Sequence, residues 1–139
     1  MIARLTARLA PRRVVHAHCD IPCGIYDPSE AQLAAQTVET MVTKIKALPD
    51  DNSESRRNSF VRMVTVKEQH AERVKHEVQV LWSDYFKPEH LDKFPELHDL
   101  VWKTLKAASA TKQNVDAEKA AELRAKVDEV ARIFWETKK

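Results

Sequence analysis

Two thiols and an imidazole fall within six residues: His18, Cys19 and Cys23, the only cysteines in the chain. If the chain began at His18, its free amine and the Cys19 backbone nitrogen could close a five-membered ring on one metal ion. The Cys19 nitrogen and its own sulfur would close a second ring. Cys23 reaches the fourth corner if the intervening residues turn back, and the resulting planar N₂S₂ set suits Ni(II) or Cu(II). The His18 imidazole, tethered to the same residue, is placed to approach as an axial donor. Binding of this kind displaces protons from two thiols and an amide, so it is strongly pH-dependent. Anionic sulfur and amidate donors also stabilise a higher oxidation state. The spacing alone leaves other readings open. These are structural buried thiols, a labile disulfide whose short loop adds little stability, or a zinc site completed by His16.

The metal reading has a covalent precondition. While Ala17 is attached, the nitrogen of His18 is an amide and a poor donor. Residues 1–17 contain Arg4, Arg8, Arg12 and Arg13 and no acid, which suits a removable leader and equally an ordinary frayed or helical N-terminus, although arginines interrupt every apolar stretch and no secretory core forms. The leader therefore carries +4 of a chain whose formal charge is +2, so the remainder is slightly acidic. The basic balance gives no reason to expect nucleic acid. No apolar run approaches the roughly 18 residues of a membrane span. Pro22 and Gly24 punctuate the hook. The Ile21–Pro22 bond can be cis or trans, and Gly24, the only glycine in the chain, implies either a positive φ or a close backbone approach.

Behind the hook the pattern becomes helical. Asp27 is placed to cap a first helix with Pro28 at its first position and Glu30 three after the cap. Leu33, Val38, Met41, Val42, Ile45 and Leu48 then form its apolar face. Pro49 to Asn52 reads as a turn. A second helix from about Ser55 to about Tyr85 carries Phe60, Val64, Ala71, Val74, Val78, Leu81 and Trp82, and Pro88 stops it. A third starts near Phe94-Pro95-Glu96 with Leu97, Leu100, Val101 and Leu105. Ser109 to Asn114 reads as a loop, and Asp116 caps a fourth helix with Ala120, Leu123, Val127, Val130 and Phe134 on one face. Scarce glycine and four amphipathic helices imply an all-α antiparallel four-helix bundle with an N-terminal metal-binding hook. Trp82, Trp102 and Trp135 read as core or subunit-interface aromatics. His76, His90 and His98 read as solvated or capping, and the C-terminal lysines as a charged helix end.

Three blocks add a resemblance. His18 to Pro28 follow the pattern His-Cys-Asp-x-Pro-Cys-Gly-x-Tyr-Asp-Pro at every fixed position. Leu81-Trp82-Ser83-Asp84-Tyr85-Phe86-Lys87-Pro88 is a second block, and Phe134-Trp135-Glu136-Thr137-Lys138-Lys139 a third. Together they resemble the nickel-dependent superoxide dismutases, over residues 18–139. The resemblance implies a right-handed four-helix bundle, a homohexamer, and one nickel ion per subunit cycling between Ni(II) and Ni(III). It implies a leader, residues 1–17, removed by a maturation protease, and a cytoplasmic location. The implied reaction converts superoxide to dioxygen and hydrogen peroxide. The implied metal ligands are the amine and imidazole of His18, the amide nitrogen and thiolate of Cys19, and the thiolate of Cys23.

By matching position, Tyr26 stands beside the open metal face, Tyr85 supports it, and Asp20 lies near the same pocket. Lys87, and less directly Lys112, match lysines that draw the anion inward. The sequence departs from better-known members at one point. Their axial imidazole is held by a glutamate and an arginine, where this chain has Ala34 and His70. A departure of that kind alters how the imidazole is oriented. It also keeps two other functions in view: a nickel-binding carrier without turnover, and a helical interaction module whose hook binds nothing.

Overall fold

The computed structural model describes residues 24–139, and the regular structure among them is all helical. The leader, His16, His18, Cys19, Asp20, the Ile21–Pro22 bond and Cys23 lie outside the described residues.

Helix α1 spans Ser29–Lys46. The Asp27 carboxylate accepts from the Ser29 backbone N–H at 2.7 Å and from its hydroxyl at 2.5 Å, so negative charge stands at the positive end of the helix. The helix therefore starts one residue later than the sequence pattern suggests. Glu30 does not turn back as a capping partner but pairs with Arg73 of the second helix. The buried face of α1 is Ala31, Ala34, Ala35, Val38, Val42 and Ile45. Leu33, expected on that face, is 61% exposed, because two positions back from Ala35 is some 200° around the helix.

Helix α2 runs Glu54–Val80, with the Ser53 hydroxyl accepting from Arg56 N–H at 3.1 Å as its N-cap. Its buried positions are Lys67, Ala71, Val74, Glu77 and Val78. Phe60, read as part of the stripe, is exposed. At 27 residues α2 is longer than the 18- and 17-residue helices it packs against, so they cannot cover its whole length. A single π-helical turn, Leu81–Tyr85, ends it, closed by Phe86 N–H donating to Leu81 O at 2.9 Å.

A short helix α3, Pro88–Lys93, follows with proline in its first turn. The sequence pattern does not anticipate this helix. Helix α4 spans Leu97–Gln113 and α5 spans Ala117–Glu136. Asp116 caps α5 by accepting from Glu118 and Lys119 N–H at 2.9 and 3.2 Å. The Lys119 bond holds its carboxyl below the ordinary carboxylate range. The cap is thus fully present above that range and is lost as pH falls through the depressed value.

The stretch from Ser109, read as a loop, continues α4 to Gln113. The hydroxyls of Ser109 and Thr111 donate back to Leu105 O at 3.3 Å and Ala108 O at 2.8 Å rather than leaving the helix. Lys67 then closes the end. Its side chain is 1% exposed, and its ammonium donates to Thr111 O and, at 2.8 Å, to Lys112 O. A buried cation thereby satisfies carbonyls that have no partner within α4. Lys67→Met keeps the bulk and removes both bonds. It is expected to destabilise the chain by about 3 kcal/mol, from two lost bonds to a charged donor, read as a lower urea midpoint with unchanged slope.

α1 packs against α2 and α5, and α4 packs against the same two helices. With short connections, this is the antiparallel four-helix bundle the sequence implies, with α3 as a link at one end. The core holds Val38, Val74, Val78, Leu97, Leu123, Val127 and Ile133. Among the described residues no helix is long and apolar enough to cross a membrane.

Candidate functional site

The hook joins the described structure at Gly24, whose φ is +71°. Among the described residues nothing lies within 4 Å of where a Cβ would stand. Of the two reasons for a glycine, positive φ is therefore the operative one, and an L side chain would be strained there by roughly 1–2 kcal/mol. Gly24 is bonded to Cys23 and lines an open cavity of about 520 Å³. The other lining residues are Tyr26, Asp84, Tyr85, Lys87, His90, Thr137 and Lys138.

Three separate stretches build this cavity. Tyr26 comes from the extended segment before α1. Asp84 and Tyr85 come from the π turn, which changes the helical phase where Tyr85 leaves the bundle. Thr137 and Lys138 follow α5. The Tyr26 and Tyr85 rings meet at 5.5 Å with a 54° tilt. Tyr85 also packs on Phe134 at 4.4 Å and stacks on His90 at 5.5 Å. The Lys138 ammonium lies 4.7 Å from the centre of the Tyr85 ring, a cation–π contact. His90 Nδ1 accepts from Lys87 N–H at 3.2 Å, which makes it a capping histidine, as expected, and also a wall of the cavity.

The structure therefore brings together Tyr26, Tyr85 and Lys87 among the residues singled out from sequence. Lys112 stands elsewhere. It is paired with Glu72 at 2.8 Å, and that hydrogen bond raises its pKa. Ala34 is 1% exposed in the core. His70 donates its Nδ1 proton to Val66 O, 2.9 Å away on its own helix. Neither Ala34 nor His70 lines the cavity. Asp84, His90, Thr137 and Lys138 were not assigned to the site from sequence. Three of them sit inside the second and third resembling blocks, which was the available signal. Lys138 is more than a charged helix end. Trp102 and Trp135 are 55% and 48% exposed rather than in the core, while Trp82 packs against it.

Among the described residues no three His, Cys, Asp or Glu side chains gather as a metal site. Both cysteines of the chain precede Gly24. Two thiols, an imidazole and backbone nitrogens in that stretch fit nickel, since soft sulfur together with nitrogen suits that ion.

A model of the nickel-containing superoxide dismutase family matches residues 13–138. The chain is 46% identical over 142 aligned positions to the nickel superoxide dismutase of Streptomyces coelicolor, covering 100% of this chain and 99% of that one. It is 44% identical to the nickel superoxide dismutase of Streptomyces seoulensis with the same coverage. A native nickel superoxide dismutase solved at 1.30 Å superposes with a TM-score of 0.79 and 46% identity, covering 88% of this chain and 100% of that one.

Proposed function

The chain belongs to the nickel-containing superoxide dismutase family, and from that premise we propose that its active site is the cavity at Gly24 together with the hook His18 to Cys23. Its reaction turns two superoxide ions and two protons into dioxygen and hydrogen peroxide, with nickel as cofactor. The single observation that carries the site assignment is that the residue following Cys23 opens into a cavity walled by Tyr26, Tyr85 and Lys87.

The His18 amine and imidazole, the Cys19 amide nitrogen and thiolate, and the Cys23 thiolate would hold the nickel. The chemistry nickel supplies when bound is the one-electron Ni(II)/Ni(III) couple that disproportionation needs. The protein's own groups do the rest. The ammonium groups of Lys87 and Lys138 raise the local concentration of a small anion. The two phenol rings narrow the opening and exclude larger molecules. Asp20 directly follows Cys19 and stands between the two cysteines, close enough in sequence to act at the same pocket.

The hook must have a free amine, so residues 1–17 are a leader removed by a protease before the enzyme works. The solved relative is matched over its full length while 88% of this chain is, so part of this chain lies outside it, which supports a removed segment. The exposed tryptophans Trp102 and Trp135 support burial between subunits, as in a homohexamer.

Protein cleaved before His18 and loaded with nickel is expected to hold one ion per chain by metal analysis and to remove superoxide in stopped flow. Absence of turnover from a fully loaded chain would overturn the reading. Lys87→Ala is expected to slow the reaction about 2- to 10-fold at low ionic strength, with the difference shrinking as salt screens the charge. A salt-independent deficit would reject the steering role.

A further inference from the structure

The Thr137 hydroxyl oxygen stands 2.5 Å from the Tyr85 hydroxyl oxygen. The same Thr137 hydroxyl donates to the Phe134 carbonyl at 2.6 Å. A carbonyl oxygen only accepts and a threonine hydroxyl carries one proton, so that proton is committed to Phe134. The proton between Thr137 and Tyr85 must then be the phenol's. We infer that Thr137 is a positioning residue: it takes the Tyr85 O–H away from the cavity, so that Tyr85 offers the cavity oxygen lone pairs alone. The sequence Tyr85 to Thr137 to Phe134 runs in one direction, and each bond polarises the next.

The direction decides what Tyr85 can hold. Superoxide is an anion with no proton, and an acceptor oxygen repels it. Water and hydrogen peroxide carry O–H donors and can give one to Tyr85. The cavity is thereby divided. Lys87 and Lys138 face the incoming anion, and Tyr85 receives a neutral, proton-bearing molecule. The assignment of that molecule rests on the dismutase reading, whereas the bond direction does not.

The test uses the tyrosine Fermi doublet in Raman spectra, whose intensity ratio reports whether a phenol donates or accepts. Tyr26 and Tyr85 are the only tyrosines, so Tyr26→Phe isolates Tyr85. The expected spectrum is that of a phenol that donates, with or without accepting from the cavity, and not that of a phenol that only accepts. Adding Thr137→Val shifts it towards an acceptor, and Thr137→Ser in its place restores the donor pattern. An acceptor doublet with Thr137 present, or no change in Thr137→Val, overturns the inference. The first of these outcomes needs no folded valine variant.

In otherwise native, nickel-loaded enzyme, Thr137→Val is expected to weaken inhibition by hydrogen peroxide about 2- to 10-fold, the effect of one neutral hydrogen bond, and Thr137→Ser to leave it near the parent value. A shifted doublet with unchanged peroxide inhibition supports the bond direction with water as the occupant. A donor doublet in a protein without dismutation would sink the functional reading and leave the bond direction standing.

Discussion

Cys19→Ser, matured at His18 and supplied with nickel, is expected to remove superoxide at less than about one-hundredth of the parent rate. The bound is conservative, because altering a residue that merely supports a ligand already costs 10- to 100-fold in metal affinity or activity. In the proposed hook Cys19 would offer more than a sulfur. Its backbone nitrogen and its thiolate would hold the nickel together, and a serine hydroxyl does not ionise near neutral pH to replace the thiolate. Cys23→Ser is expected to behave alike through loss of the other proposed thiolate. Metal analysis separates the two possible causes, since a chain that keeps nickel but not turnover has lost redox tuning rather than binding. Circular dichroism should be unchanged for both variants, because the helices and the core among the described residues lie from Ser29 onward. A Cys19→Ser protein with full activity would remove Cys19 from the ligand set.

Protein that retains Ala17 is expected to be equally inactive, again by more than about 100-fold, although every side-chain donor is still present. The peptide bond to Ala17 converts the His18 amine into an amide, which gives up its basic lone pair to resonance. One of the two nitrogens proposed to hold the nickel would then be unavailable without a further deprotonation. Mass spectrometry of the N-terminus alongside nickel content tests this directly. Active, nickel-bearing material that begins before His18 would refute the leader's role. Restoring activity by protease treatment of the inactive form would confirm that the defect is covalent and not a failure of folding.

What the sequence revealed follows the physics of each element. The α5 face from Ala120 to Phe134 was readable because a 3.6-residue repeat leaves no second solution, and all five positions read from it are buried. The hook could be proposed from sequence because its chemistry would be local: ring closure on a metal involves atoms a few bonds apart. Leu33 and Phe60 misled because apolar type was taken as burial, while helix phase and the length of the neighbours decide it. The end of α4 misled because polar residues from Ser109 onward look like a loop until Lys67, more than 40 positions earlier, is seen donating to their carbonyls. Thr137 and Lys138 belong to the cavity through contacts with Tyr85 across some 50 residues. No local pattern announces a contact of that span.

The packing around Ala34 also limits what that position can hold. Its methyl group is enclosed in the core. A glutamate there would bring a carboxylate out of water, at a cost of several kcal/mol unless a cation came with it. A carboxylate and a cation would therefore have to be introduced together.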